Sequence, residues 1–288
     1  MRLQALIAGA QKTLSSVSDS SPNEAKLEAQ LLLQHLLKVN RAWLITHEND
    51  ALEPNILAEF EAALKRRMAG EPIAYILGKR EFYGLELNVT PDTLIPRPDT
   101  ETLVEAALAK IPANQTCSIL DLGTGTGAIA IALAAQRPRA EVTAVDQSSE
   151  ALAVAKNNAQ RLGIANVRFL QSDWFLSLGD MTFDIIVSNP PYIAEDDPHL
   201  RQGDLRFEPI SALAAGPDGL RCIRHIINSA SAHLHPGGTL MFEHGYDQAE
   251  KVASLMIQAG FAEVISLPDL AGILRVTSAT WRNKAMSE

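Results

Sequence analysis

Cysteine is scarce in this 288-residue sequence, which contains only Cys117 and Cys222. Two cysteines far apart in the chain and in apolar surroundings exclude a disulfide-rich secreted fold, and no zinc-site spacing is present. We expect both residues to be buried free thiols in a reducing environment, and we expect no bound metal.

The sequence also lacks a long apolar run and an excess of positive charge. No stretch approaches the length of a membrane-spanning helix, and residues 1–7 are too short and too interrupted for a signal peptide. The net charge is −9, so the whole molecule has no attraction to nucleic acid. With 47% apolar residues, the chain can form a packed core. We expect a cytoplasmic protein of one or two domains that requires neither membrane nor nucleic acid.

Residues 1–78 have the periodicity of helices throughout. Apolar residues recur at helical spacing in three stretches, which begin near Leu3, Pro22 and Pro54. The third stretch ends in Lys65-Arg66-Arg67, whose side chains would either complement the helix dipole or contact a partner. The pattern predicts a small helical domain that docks a substrate and has no chemistry of its own.

Residues 79–98 change to a period of two and then to a proline-rich linker. Apolar residues alternate on both sides of Gly84, which predicts a short β-hairpin. After the linker, Asp99 or Thr100 is predicted to cap the next helix, with Glu101 in its first turn.

Residues 99–288 alternate between strand and helix patterns, which is typical of a parallel sheet covered by helices on both faces. The seven predicted strands are 117–122, 142–146, 167–170, 183–188, 239–243, 262–267 and 275–281. The predicted helices between them are 128–135, 150–162, 220–234 and 248–259. The polar segment 193–217, rich in Pro and Gly, is predicted to shape a substrate mouth. The pattern predicts an α/β, Rossmann-like fold with a seven-stranded, mostly parallel sheet.

The fourth strand runs into Asn189-Pro190-Pro191-Tyr192 at the edge of the sheet where ligands bind. The Asn189 side chain and the Pro190 carbonyl offer two acceptors, and the Tyr192 ring can stack on a flat group. These groups suit a planar nitrogen that carries two hydrogens, as in an amide or a nucleobase. Accepting hydrogen bonds from both N–H groups would increase the electron density on that nitrogen and orient its lone pair toward an electrophile. The plainer interpretation is a strand that ends in a proline-rich turn.

A glycine-rich loop, Gly123-Thr124-Gly125-Thr126-Gly127, joins the first strand to a helix. Glycines allow close approach to a ligand, and the helix start presents free N–H groups. Asp146, roughly 20 residues further on, lies where a ribose-binding acid belongs. Because the loop with Ala128 also fits the dinucleotide fingerprint, it leaves open both a nicotinamide cofactor and S-adenosylmethionine. Asp121, just before the loop, would either orient it or contact the ligand.

Two further features favour methyl transfer. Asp173 and Trp174 follow the third strand, where they offer an acceptor and a ring suited to an adenine, although Trp174 would equally serve in packing. A clamp for a two-hydrogen nitrogen is of no use in hydride transfer, whereas methyl transfer has a use for one. The protein would then contribute mainly alignment.

Several motifs together resemble one family. In chain order they are Gly70-Glu71-Pro72-Ile73-Ala74-Tyr75, Leu94-Ile95-Pro96-Arg97-Pro98-Asp99-Thr100-Glu101, the glycine loop, Asn189-Pro190-Pro191-Tyr192-Ile193, Phe207-Glu208-Pro209, Asp218-Gly219-Leu220 and Phe242-Glu243-His244-Gly245. With them, the chain resembles the release-factor glutamine methyltransferases (PrmC, also called HemK) from the helical domain onward. The family tends to carry a more polar residue where Leu274 precedes Arg275, so no role is assigned there.

The resemblance implies a class I S-adenosylmethionine-dependent methyltransferase. The implied acceptor is the amide nitrogen N5 of the glutamine in the Gly-Gly-Gln motif of class-1 peptide chain release factors, and the product is S-adenosylhomocysteine. The implied donor-binding positions are Gly123 to Gly127, Asp146, Trp174 and Asn189, and the implied glutamine-binding positions are Asn189 to Tyr192. The residues by themselves leave open a nucleobase amino-methyltransferase that flips its base out, and a non-catalytic adenosyl-binding module.

Overall fold

The structure, a computed structural model, describes residues 1–17 and 21–282. The chain divides into two compact units, Met1–Lys79 and Arg80–Glu288, each with its own core. The finer predicted division into domain, linker and domain stays a prediction.

The first unit is helical. Its helices are α1 (Leu3–Val17), α2 (Pro22–Leu37), α3 (Arg41–Thr46), α4 (Pro54–Met68) and α5 (Ile73–Leu77). The three predicted helices are present, but α3 and α5 were not predicted because they are too short to show a periodic pattern. A local cap starts α3, since the Asn40 side chain accepts a hydrogen bond from the Trp43 N–H at 2.9 Å.

The basic end of α4 is paired within its own unit. Arg67 donates to both carboxylate oxygens of Glu28 on α2 at 2.9 Å, and Arg66 donates to Glu71. The Arg67 and Glu28 side chains are only 11% and 15% exposed. Arg67 therefore holds α4 against α2, a role that the sequence did not indicate.

The second unit begins with a hairpin and continues as an α/β sheet. The hairpin strands are β1 (Lys79–Phe82) and β2 (Leu85–Asn88). The sheet strands are β3 (Ser118–Leu122), β4 (Glu141–Asp146), β5 (Val167–Gln171), β6 (Phe183–Ser188), β7 (Leu234–Glu243), β8 (Phe261–Pro268) and β9 (Leu274–Trp281). The helices are α6 (Glu101–Lys110), α7 (Ala128–Gln136), α8 (Ser149–Arg161), α9 (Arg221–Ala230) and α10 (Ala249–Gln258). Among the described residues the sheet order is β5-β4-β3-β6-β7-β9-β8, and β9 runs in the opposite direction to the other six strands.

Strand β6 lies in the middle of the sheet and is buried on both faces. Ile185 and Val187 belong to one apolar cluster, and Ile186, between them, belongs to the cluster on the other face. Side chains of a strand alternate between faces, so both faces need apolar residues. This burial explains the unbroken apolar run.

Helix α9 ends earlier than predicted, at Ala230, and Leu234 starts β7 instead of ending the helix. A leucine fits either pattern, and pairing with Phe183 on β6 decides its place. Among the helices of the described residues, none has the length and apolar character needed to cross a membrane.

Candidate active site

The glycine loop and the Asn-Pro-Pro-Tyr segment leave the sheet side by side. Their strands, β3 and β6, are parallel neighbours, with Leu122 opposite Ser188, and the Ser188 hydroxyl donates to the Leu122 carbonyl at 2.8 Å. The strand order reverses between these two strands, and ligands of open α/β sheets bind at such a point, outside the carboxyl ends. The topology therefore brings together two segments that are 61 residues apart at Ser188 and Gly127.

Two carboxyl groups accept hydrogen bonds from residues of the glycine loop. Asp121 is fully buried and accepts a hydrogen bond from the Thr124 hydroxyl at 2.6 Å. Asp146 accepts from the N–H of Gly125 at 2.9 Å and from the N–H of Ser148 at 3.0 Å. Asp121 thus orients the loop, while Asp146 also lines the cavity beside it.

Both carboxyl groups are harder to ionise than usual. Burial raises the pKa of Asp121 to about 7, against the opposing hydrogen bond from Thr124. Burial also raises the pKa of Asp146, although the backbone N–H groups of Ser148, Gly125 and Gln147 favour its charged form. The N–H groups keep Asp146 available as a hydrogen-bond acceptor at the cavity wall.

Gly127 begins α7 in a conformation that L-residues rarely adopt, with φ of +82°. A Cβ there would lie 2.8 Å from the Ile131 Cδ1 and 3.1 Å from the Ala155 Cβ. Gly127 therefore permits the tight turn and the close packing of α7 against α8.

Trp174 serves both functions that the sequence left open. Its ring packs against the cluster around β6 and β7, and it also lines the cavity next to the glycine loop. A Cβ placed on Gly123 would lie 3.7 Å from the ring. The ring thus lies close to the loop, and both line the same cavity.

Asn189 is half-buried, and its side chain is held in one orientation. The amide nitrogen Nδ2 donates to the Thr100 hydroxyl at 3.1 Å. Among the described residues, nothing donates to its oxygen Oδ1 or to the Pro190 carbonyl. The two acceptors predicted for the clamp thus have no protein partner within the described part of the chain.

Tyr192 is held from two sides. Its hydroxyl donates to Glu243 at 3.3 Å, and its carbonyl accepts from the Gln248 side chain at 2.9 Å. Gly219 allows this carbonyl to approach closely, since a Cβ there would lie 2.2 Å from the oxygen. Burial raises the pKa of the Tyr192 hydroxyl, and the nearby Glu243 raises it further. The tyrosine is therefore neutral and rigidly placed.

Two cavities meet at Asn189. The glycine-loop cavity is lined by Gly123, Gly125, Asp146, Ser148, Asp173, Trp174, Asn189 and Pro191, together with residues of the 91–98 and 207–213 segments. The tyrosine cavity is lined by Leu94, Arg97, Asn189, Tyr192, Ile193, Leu205, Ala212 and Leu213. Of the predicted site residues, Thr124, Thr126, Gly127 and Pro190 are not among the residues that line the two cavities. No group of His, Cys, Asp and Glu among the described residues could hold a metal ion.

Known protein families match both units. A methyltransferase domain matches residues 113–275, and a PrmC N-terminal domain matches residues 5–78. The release factor glutamine methyltransferase of Bordetella pertussis is 52% identical over 259 residues, covering 90% of this chain and 96% of that protein. That of Vibrio cholerae is 49% identical, covering 98% of each chain, and that of Escherichia coli is 50% identical, covering 87% and 90%.

The chain belongs to the release factor glutamine methyltransferase family. The predicted class I fold is confirmed. A solved methyltransferase of Pyrococcus furiosus has a TM-score of 0.53 at 20% identity, covering 80% of this chain and all of that one. A T. thermophilus 16S rRNA N2 G1207 methyltransferase has a TM-score of 0.50 at 22% identity, covering 71% of this chain and 50% of that one. These two structures share the sheet and its helices with this methyltransferase.

One prediction about this methyltransferase was wrong. Thr100 makes no side-chain cap to α6, and Asp99 does not cap it either, because a short 3₁₀ turn, Pro98–Thr100, leads into the helix. Instead the Thr100 hydroxyl meets Asn189, and Asp99 pairs with Arg275 at 3.4 Å. Asp99 and Thr100 are residue types that often cap helices, but here their polar groups bond to residues that are distant in the sequence.

Sequence reasoning predicted that the 193–217 segment shapes the site, but it missed the wall that the linker provides. Leu94 from the linker and Ala212 from the 193–217 segment line both cavities. The two segments are joined where buried Glu208 pairs with Arg97 and accepts from the Ile95 N–H at 3.0 Å. The sequence signal for these walls was the pair of motifs around Arg97 and Glu208. Both motifs are part of the family resemblance, but no role was assigned to them.

Proposed function

We propose that this methyltransferase transfers a methyl group from S-adenosylmethionine to the amide nitrogen N5 of the glutamine in the Gly-Gly-Gln motif of class-1 release factors. Relatives about 50% identical over most of the chain, named release factor glutamine methyltransferases, support this substrate. The observation that carries the proposal is the position of Asn189 between the glycine-loop cavity and the tyrosine cavity. A methyl donor in the glycine-loop cavity and a methyl acceptor in the tyrosine cavity would meet at the Asn189 side chain.

The lining of the glycine-loop cavity fits S-adenosylmethionine. Asp146 presents carboxylate oxygens suited to ribose hydroxyls, and the Trp174 ring presents a flat face suited to adenine. Gly123 leaves open the space between loop and ring that a side chain would fill. When bound, the donor supplies an electrophilic methyl group on a sulfonium.

The clamp residues orient and activate the acceptor. With Nδ2 bound to Thr100, Asn189 turns its Oδ1 to accept one N–H of the glutamine amide, and the Pro190 carbonyl accepts the other. Both bonds return electron density to the amide nitrogen and hold its plane. In the described part of the chain no histidine or cysteine lines either cavity, so alignment is the main contribution, worth about 7–11 kcal/mol of barrier.

Product analysis tests the proposal. The chain is incubated with S-adenosylmethionine carrying a labelled methyl group, together with either a class-1 release factor or duplex DNA, and the methyl group is located by mass spectrometry. We expect label on the motif glutamine, and none when that glutamine is replaced by asparagine. Label on adenine or cytosine, with none on the release factor, would favour nucleobase methylation instead. Because release factors act on ribosomes, we expect the enzyme to work in the cytoplasm.

A further inference from the structure

Behind the Asn-Pro-Pro-Tyr segment, two of its side chains are held by buried side chains of other elements. Asn189 donates to the Thr100 hydroxyl at 3.1 Å. Tyr192 donates to the carboxyl of Glu243, at the end of β7, at 3.3 Å. Glu243 is 1% exposed and Thr100 is 4% exposed, so water does not compete for these bonds. Neither residue lines the two cavities.

The hydrogen bond to Thr100 fixes which end of the Asn189 amide is held. The Thr100 hydroxyl accepts from Nδ2, which leaves Oδ1 without a partner among the described residues. The side-chain amide of Asn189 could otherwise rotate by a half-turn, which would exchange its oxygen for its nitrogen. The reversed amide would present its own N–H groups to the nitrogen that is to be methylated. These groups cannot accept hydrogen bonds from the N–H groups of the substrate.

We propose that Thr100 and Glu243 are positioning residues that hold Asn189 and Tyr192 in the orientation that binds the acceptor amide. The inference rests on the proposed function, since it assigns these residues to the same site. Thr100 acts on Asn189, and Glu243 acts on Tyr192. Neither touches the donor or the acceptor.

Charged groups from other elements surround Glu243. Asp99, just before α6, disfavours its ionised form, whereas Arg275 on β9 favours it. Arg275 also pairs with Asp99 at 3.4 Å and with Asp269 at 3.3 Å, so its charge is shared. Burial, together with the charge of Asp99, raises the pKa of Glu243 to about 7 against the opposing effect of Arg275. Both protonation states keep an acceptor oxygen for the Tyr192 hydroxyl.

Thr100→Val and Thr100→Ser form a matched pair for the test. Valine has the shape of threonine without the hydroxyl, and serine keeps the hydroxyl. With release factor as the substrate, we expect kcat/KM of Thr100→Val to fall about 10- to 100-fold, from the loss of one buried hydrogen bond that orients the clamp. We expect Thr100→Ser to retain most of the wild-type value. The dissociation constant for S-adenosylmethionine, measured by calorimetry, should stay within about twofold in both, since the glycine-loop cavity is intact.

A second comparison tests whether Thr100 acts through Asn189. Adding Thr100→Val to Asn189→Ala should lower the residual rate no further, because the side chain to be held is gone. Wild-type activity in Thr100→Val, or equal losses in the valine and serine variants, would overturn the inference. Loss of donor binding in step with activity would also overturn it, since that indicates a general structural role. If the wild-type chain leaves the release factor unmethylated, the proposed function itself fails, and the inference fails with it.

Discussion

At the scale of single residues, Asn189 combines two requirements. It must be held by the protein on one side and must offer a vacant acceptor on the other. A hydrogen bond to Thr100 meets the first requirement, and an Oδ1 with no partner among the described residues meets the second. Few side chains other than an amide have a donor and an acceptor at the same end.

Asn189→Ala should abolish methyl transfer and leave donor binding largely intact. We expect a loss of at least about 100-fold in kcat, the size of effect known for a deleted polar group that acts on the reacting atoms. Labelled transfer to release factor measures the rate, and calorimetry measures donor affinity. Asn157→Ala, at an exposed asparagine on α8, is the control. Donor affinity lost to the same degree as activity would contradict the proposed role.

Asp146→Ala should weaken donor binding. The carboxylate would make charge-assisted hydrogen bonds to the ribose, worth about 1.5–3 kcal/mol, so the dissociation constant should rise about 10- to 150-fold. Glu150→Ala removes the same charge from an exposed position at the start of α8 and should leave the affinity unchanged. Unaltered affinity in the Asp146 variant, measured by calorimetry, would remove this residue from the site.

At the scale of elements, the connections shape the site more than the strands do. β3 and β6 supply a rigid edge, but the walls come from the linker before α6 and from the segment between β6 and α9. Within that segment, Ile193 makes backbone hydrogen bonds with Leu213 and Ala215, each at 2.9 Å. Gly219, at its end, packs against the Tyr192 carbonyl.

Gly219→Ala tests how closely this connection packs on the clamp. The added methyl would meet the Tyr192 carbonyl oxygen at 2.2 Å, so the backbone must move. We expect a loss of about 3 kcal/mol in the free energy of unfolding, measured by denaturant titration, together with reduced methyl transfer. Gly203→Ala is the matched control, because Gly203 also has a positive φ but has nothing within 4 Å, and it should cost only about 1 kcal/mol. Equal effects in the two variants would show that backbone conformation alone is responsible.

At the scale of the whole molecule, buried acids link stability to pH. Glu243 has a pKa of about 7 in the folded chain and an ordinary value of 4.5. The fold favours the neutral form, so this contribution to stability is full below pH 4.5 and is lost as pH rises through 7. Asp121, with its pKa also raised to about 7, acts in the same direction.

Glu243→Gln should remove the part of this pH dependence that comes from Glu243. From pH 4.5 to pH 8, the free energy of unfolding of the wild type should fall relative to the variant by up to about 3 kcal/mol. Denaturant titrations across this range measure the difference, and Glu250→Gln on the exposed face of α10 is the control. Parallel curves for the wild type and Glu243→Gln would show that Glu243 does not change its protonation in this range.

Removing residues 1–78 should separate docking from chemistry. The second unit has its own core and contains both cavities, so donor affinity should stay within about twofold. Methyl transfer to folded release factor should fall at least about 10-fold if the first unit docks the substrate. A short peptide with the Gly-Gly-Gln motif is the control, and full-length and truncated chains should act on it equally. Equal turnover of the whole release factor would refute the docking role.

Local sequence by itself determined the helical first unit, the alternating strands and helices, and the positions of the glycine loop and the Asn-Pro-Pro-Tyr segment. These features depend on periodicity, on glycine and proline, and on neighbours in the chain. The helices α3 and α5 were missed because they are too short to show a periodic pattern, and the end of α9 was missed because Leu234 fits either a helix or a strand.

Only the tertiary structure decided what holds the site. Thr100 has the composition of a helix cap, yet its hydroxyl bonds to Asn189, 89 residues further along the chain. Glu243 becomes the partner of the Tyr192 hydroxyl once β7 lies beside β6. A buried polar group must find a partner wherever the fold places one, and that choice depends on which strands are neighbours and not on the residues next to it in sequence.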